Sequence, residues 1–178
     1  MRLSTPRIHP VTDADMDDEQ REVIESLTEG RRRLNVYRTL ARAPKALKAY
    51  LAWGSYIVSK RNALSPRERE IVILRVGVLC RSGYEVAQHT RIALETGMSA
   101  QEIAHIKEGA EAGWPPAEAA LIRAADELVA DHFVSEATWT VLRSAYSEKQ
   151  CVDVVLTAGQ YVQTCMFLNT FGVQVEAG

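Results

Sequence analysis

Arg81-Ser82-Gly83-Tyr84-Glu85-Val86-Ala87-Gln88-His89, taken with Ser65-Pro66-Arg67-Glu68-Arg69-Glu70-Ile71-Val72-Ile73-Leu74-Arg75, decides how this chain folds. Each stretch offers a serine at a helix N-cap position and apolar residues at helical spacing behind it. Between them, Arg81-Ser82-Gly83 makes a turn short enough to lay the second helix back against the first. Glu85 and His89 are four residues apart and share one helix face. Glu70, on the preceding helix, is placed to meet them. An imidazole that titrates near neutral pH, flanked by carboxylates, is equipped to move protons.

The same residues support a plainer reading. Ser82-x-x-Glu85 fits a capping box, in which the serine accepts from the Glu85 amide and Glu85 reaches back to the Ser82 amide. The pattern recurs at Ser65/Glu68, Ser99/Glu102 and Ser147/Gln150, so the chain starts helices this way repeatedly. From the local pattern, Glu85 is either a cap or a partner of His89, and both readings stay open.

Length and composition narrow the classes. At 178 residues the chain has room for one domain, spanning 1–178, with a substantial core. A formal net charge of −2 argues against a general nucleic-acid binder. Arg31-Arg32-Arg33 is a short basic cluster, read as a solvated turn after the first helix. No run reaches the ~18 consecutive apolar residues of a membrane span, and the opening residues lack a signal-peptide core. The expectation is therefore a cytoplasmic protein with neither membrane nor nucleic-acid partners. Cys80, Cys151 and Cys165 are scattered in apolar helical runs, giving neither a disulfide framework nor a zinc pattern. No metal or cofactor is expected. Gly77 and Gly83 bracket the end of a helix, the wrong context for a phosphate loop.

Helical period prevails throughout, predicting an all-α bundle of eight or nine helices. An N-terminal helical extension covers about 1–60, a core motif 64–109 and C-terminal helices 115–172. The first helix is predicted over Asp15 to Glu29, ended by Gly30. Others follow from Val36 to Arg42, and from Pro44 through Trp53 to about Lys60. The Ser65-capped helix buries Ile71, Leu74, Val78 and Leu79; the Ser82-capped helix carries an apolar stripe of Val86, Ala93 and Leu94. Aligning Ser65 with Ser147 also aligns Leu74 with Leu156 and Gly77 with Gly159, suggesting a duplicated helical hairpin. The last helix is apolar nearly all round (Val152, Val154, Val155, Leu156, Val162, Met166, Leu168). Such a helix suits both a core and a subunit seam, so a homo-oligomer through this helix is expected.

Leu64-Ser65-Pro66-Arg67-Glu68-Arg69-Glu70, Ile73-Leu74-Arg75-Val76 and Tyr84-Glu85-x-x-Gln88-His89 together resemble the carboxymuconolactone decarboxylase / alkylhydroperoxidase D superfamily. Arg38 to Arg42 with Pro44, Ala124 to Leu128, Gly159-Gln160-Tyr161 and Leu168-Asn169 extend the resemblance to roughly residues 34–176. It implies an alkylhydroperoxidase D-like helical fold and an oligomeric habit. In the peroxide-reducing branch, a C-x-x-C pair falls on the positions of Ser82 and Glu85, with a histidine at His89 and a glutamate at Glu70. Both thiols are missing here, and a hydroxyl and a carboxylate cannot perform thiolate attack and disulfide closure. Cys80 has no partner at that spacing. The decarboxylase branch instead carries His-Glu-x-x-x-His; Glu85 and His89 match it, while Tyr84 replaces the first histidine.

The resemblance and the residues together suggest a cofactor-free lyase or isomerase acting on a small carboxylated ring compound. Glu70, Glu85 and His89 are the candidate acid–base residues, with Tyr84, Tyr161 and Trp53 as candidate substrate contacts. A peroxidase without its C-x-x-C pair and a non-catalytic helical oligomer are the alternatives.

Overall fold

The computed structural model describes residues 1–176, and among these the chain is all-helical, with ten helices and no strand. The N-terminal part comprises α1 (Asp18–Glu25), α2 (Glu29–Arg32), α3 (Asn35–Leu40) and α4 (Pro44–Ile57). The centre is the hairpin of α5 (Pro66–Leu79) and α6 (Gly83–Glu95), followed by α7 (Ala100–Glu108). Then come α8 (Pro116–Ala130), α9 (Glu136–Ala145) and the long α10 (Glu148–Phe171).

Capping boxes start α5, α7 and α10 at Ser65, Ser99 and Ser147, as their sequence pattern predicts. The region expected to form one helix from Asp15 to Glu29 divides in two. Asp17 caps a short α1, and Gly30 lies inside α2 instead of ending its predecessor. That division supplies the tenth helix.

Helix α5 is the hub, packing against α6, α7, α8 and α10. Contact on several sides explains why its buried residues form no single stripe: Ile71, Val72, Ile73, Leu74 and Val76 are all inaccessible, whereas the expected Val78 and Leu79 are only partly covered. Arg75 ties the hub to its neighbours. Its Nε donates to Asp126 Oδ1 of α8 at 2.5 Å, and its Nη1 to the carbonyls of Ile106 and Lys107 at 2.8 and 3.1 Å. Asp153 ties α10 to α4 and to the segment leading into α5. Fully buried, it accepts from Tyr56 Oη and the Ala63 amide, both at 2.6 Å, and from Lys149 Nζ at 2.9 Å.

The duplicated hairpin is not present. The residues aligned with Arg81-Ser82-Gly83 are Gln163-Thr164-Cys165, which run through α10 without a break. The aligned Leu74 is 2% exposed and Leu156 36%, so the two occupy opposite environments. Helix α10 has the length and apolarity of a bilayer span, but 56% of its most apolar window is buried within the fold, which accounts for that apolarity. Its outer face keeps Val152, Val155, Leu156 and Met166 exposed. Val155 and Leu156 lie three and four residues from Val152, and Met166 comes about three turns after Val155, so all four share one helix face.

Candidate active site

The α5–α6 turn closes by a Schellman motif, with Ser82 N–H donating to Gly77 O and Arg81 N–H to Val78 O at 2.9 and 3.0 Å. Arg81 takes the left-handed position with φ 54°, where glycine is the usual occupant. Gly77 then lets the helices approach: a β-carbon there would lie 3.3 Å from Val86 Cγ2 and 3.6 Å from Glu85 Cβ. The turn and this contact set the rotation of α6.

That rotation keeps Ala93 of the expected apolar stripe inside but turns Leu94 outward. Tyr84, Glu85, Gln88, His89 and Ala93 are buried, whereas Leu94 is 49% exposed and Val86 only half covered. A helix that buries its polar residues and leaves leucine in water needs compensating interactions inside. His89 provides them. Its Nδ1 donates to Glu70 Oε2 at 2.7 Å, and its Nε2 faces Glu85 Oε1 at 3.1 Å. An imidazole with a carboxylate on each ring nitrogen satisfies both only as the doubly protonated cation. Burial opposes that charge, but the two carboxylates more than offset it and push the His89 pKa up to about 10.

Glu85 is therefore engaged with His89, and the Ser82 cap is not formed. Ser82 starts α6 without a side-chain capping bond, and its buried hydroxyl has no hydrogen-bond partner. The spacing Ser82-x-x-Glu85 matches a capping box in sequence only.

Glu85 and His89 line a cavity of about 240 Å³. Glu70 sits behind His89, away from the cavity wall. Tyr161 packs edge-on to the His89 ring at 5.0 Å between centroids, and Tyr84 borders the same space. Trp53, a candidate substrate contact from sequence, is not among the lining residues. It is 37% exposed, with its ring against Gly159 on the outer side of α10.

Several lining residues carried no sequence signal. Tyr37 and Tyr50 complete the aromatic wall, with Tyr50 Oη 3.0 Å from Thr164 Oγ1. Arg31 and Arg91 also line the cavity. The Arg31-Arg32-Arg33 run is therefore more than a solvated turn: Arg32 and Arg33 make local contacts with Leu27 and Glu29 while Arg31 reaches the site. The fold also gives Cys80 a distant partner. Cys165 on α10 is near enough to influence its thiol, and Asn169, one turn further on, donates from Nδ2 to Cys80 O at 2.8 Å. The proximity of the two thiols holds Cys80 below the usual thiol range and raises Cys165. No metal-ligating cluster of three or more side chains occurs among the described residues.

Residues 44–127 match the carboxymuconolactone decarboxylase family. The match spans 84 of the 178 residues and takes in Glu70, Glu85 and His89. A comparison with curated proteins finds no match. Among solved structures, an uncharacterized peroxidase-related protein from Silicibacter sp. superposes with a TM-score of 0.80 at 19% identity, covering 99% of this chain and 92% of that one. An alkylhydroperoxidase AhpD core protein from Ralstonia eutropha gives 0.79 at 22% identity, covering 95% and 93%. The debrominase Bmp8 in its apo form gives 0.74 at 15% identity, covering 96% and 92%. At these identities the likeness establishes the fold.

Two outcomes follow from the geometry. Ser65→Ala should cost about 1 kcal/mol of stability by losing a working cap, whereas Ser82→Ala should be neutral or stabilising because its hydroxyl makes no bond. Denaturant midpoints of the two variants check this. The second concerns pH. A histidine whose folded pKa lies above its unfolded value binds its proton more tightly when folded. Its contribution is thus complete below about pH 6.5 and lost as pH rises toward 10. Unfolding free energy should fall across that window, and NMR titration of the His89 ring should find it protonated at pH 8.

Proposed function

We propose that the protein is a cofactor-free lyase or isomerase that works by Glu/His acid–base chemistry on a small carboxylated ring compound. The observation that carries this reading is the His89 cation held between Glu70 and Glu85 at the wall of an aromatic cavity. The family match and the retained Glu85-x-x-x-His89 spacing support it.

Each group has a distinct task. Glu70, at the shorter distance and behind the ring, orients the imidazolium through Nδ1. Glu85, at the longer distance and on the cavity wall, yields to substrate, so that Nε2–H becomes available. In a decarboxylation, the electron pair of the breaking carbon–carbon bond passes through the unsaturated ring to a carbonyl oxygen. That developing oxyanion is stabilised by the charged N–H donor. Carbon dioxide leaves, a proton from His89 reaches the ring carbon, and solvent restores the proton to His89. Isomerisation uses the same groups, with Glu85 removing a proton and His89 returning one at another carbon.

The burial of all three groups decides which variant is diagnostic. His89→Gln leaves two buried carboxylates without their cation, a change that typically costs several kcal/mol, so stability and turnover fall together. Glu85→Gln keeps a hydrogen-bonding group while removing the charge. With carboxymuconolactone and related ring carboxylates, it should lower turnover by a factor of ~100 to ~10,000, measured as carbon dioxide release or solvent deuterium incorporation. Unchanged turnover by the folded variant overturns the acid–base reading.

A thiol-dependent reading has one observation in its favour, the Cys80–Cys165 contact. Thiolate attack on a hydroperoxide would release an alcohol and leave a sulfenic acid, which the second thiol would condense to a disulfide and water. Cys165 is almost fully buried, and the superfamily's usual thiol positions hold Ser82 and Glu85. Peroxide consumption with a dithiol reductant is therefore expected at background level, and loss of substantial consumption in Cys80→Ser would establish the redox reading instead.

The reading also has the protein work as a homo-oligomer through α10. Its exposed Val152, Val155, Leu156 and Met166 form an apolar stripe that association would cover. Light scattering at micromolar concentration should report more than one chain, and Met166→Glu or Val155→Glu should shift the population toward monomer.

A further inference from the structure

The segment following α10 returns across α3 and α6 and buries a carboxylate beside the site. Glu176 Oε1 accepts from Tyr84 Oη at 2.8 Å and from the Asn35 backbone amide at 2.6 Å; its Oε2 accepts from Gln88 Nε2 at 2.6 Å. Asn35 Nδ2 also donates to Gln174 O at 2.9 Å, which fixes the segment's path. Tyr84 and Gln88 are 3% and 8% exposed and lie one turn apart on the buried face of α6. Their sequence neighbours on that face are Glu85 and His89, and all four line the same cavity. Three donors thus converge on two carboxylate oxygens next to the acid–base pair.

This arrangement is a carboxylate receptor with the chain's own glutamate in it. A glutamate on a terminal segment is well solvated in water, and burial carries a desolvation cost that charge-assisted donors must offset. The donors have the larger stake. Without an anion, Tyr84 and Gln88 are left with buried, unpaired polar groups, so the cradle favours some carboxylate at all times. Arg31 and Arg91 on the cavity wall add positive charge for an incoming anion.

We propose that Tyr84, Gln88 and the Asn35 amide form the binding site for a substrate carboxylate, and that Glu176 occupies it in the resting protein as a tethered competitor. The proposal rests on the Glu85–His89 reading for the chemistry that follows binding. It also specifies which carboxylate is held. A carboxylate leaving as carbon dioxide loses its charge in the transition state, and donors that stabilise that charge would raise the barrier. The cradle therefore holds a carboxylate that stays on the substrate, and a decarboxylated substrate carries a second one nearer His89.

The tether is short, four residues from Gly172 to Glu176, so its effective concentration is on the order of millimolar. Removing the competitor should tighten carboxylate binding in proportion to how rarely the cradle is free. The test uses benzoate with benzamide as its uncharged match, titrated by calorimetry into the unsubstituted protein and Glu176→Ala. Benzoate should bind about tenfold or more tightly to the variant, with benzamide unchanged. Adding Tyr84→Phe should remove most of that gain. Glu176→Gln, which keeps the side-chain volume, is the second variant should Glu176→Ala not fold. No gain for benzoate, an equal gain for benzamide, or a gain that survives Tyr84→Phe overturns the proposal. Because the readout is binding, failure here leaves the turnover effect of Glu85→Gln untouched, and normal turnover by Glu85→Gln leaves the cradle untouched.

Discussion

A buried imidazolium between two carboxylates is the constraint around which the centre of this protein is arranged. Neither Glu70 nor Glu85 is accommodated in the interior by itself, and His89 is held charged only because both are there. The group joins α5 to α6 through one short contact and α6 to itself through another. It also explains why α6 turns leucine outward and polar residues inward, against the usual preference. Packing energy has been given up on one face so that a charge can be placed on the other.

A framework of polar contacts maintains that placement from outside the group itself. Arg75 and Asp126 hold α5, α7 and α8 together. Arg67 bridges Glu102 and Glu118. Asn169 fixes the Cys80 carbonyl at the end of α5, just ahead of the left-handed Arg81 that reverses the chain. Arg38 binds the Val11 and Arg32 carbonyls and Asp13, anchoring the N-terminal helices that supply one side of the cavity. These residues locate α6, and α6 carries Glu85 and His89.

The cavity itself is assembled from distant segments. Helices α2 to α4 contribute Arg31, Tyr37 and Tyr50, α6 contributes Tyr84, Glu85, Gln88 and His89, and α10 contributes Tyr161 and Thr164. Oriented hydroxyl and amide groups, a fixed cation and two arginines surround a space of small-molecule size. Beside this space, the Glu176 carboxyl group is held against Tyr84 and Gln88.

The sequence by itself determined the all-helical fold, the starts of α5, α7 and α10, and the juxtaposition of Glu70, Glu85 and His89. These are local properties: a serine and its reach-back partner are three residues apart, and a shared helix face needs only a four-residue spacing. Tertiary structure decided what local spacing leaves open. Ser82 and Glu85 have the same spacing as the working caps, yet a histidine on the next turn and a glutamate on another helix draw Glu85 away. Trp53 and Leu94 look like pocket or core residues in sequence, but the rotation of α4 and α6 turns them outward. Tyr37, Tyr50 and Arg31 reach the cavity, and Glu176 the donors beside it, from positions whose neighbours say nothing of it, because only the packing of separated segments brings them together.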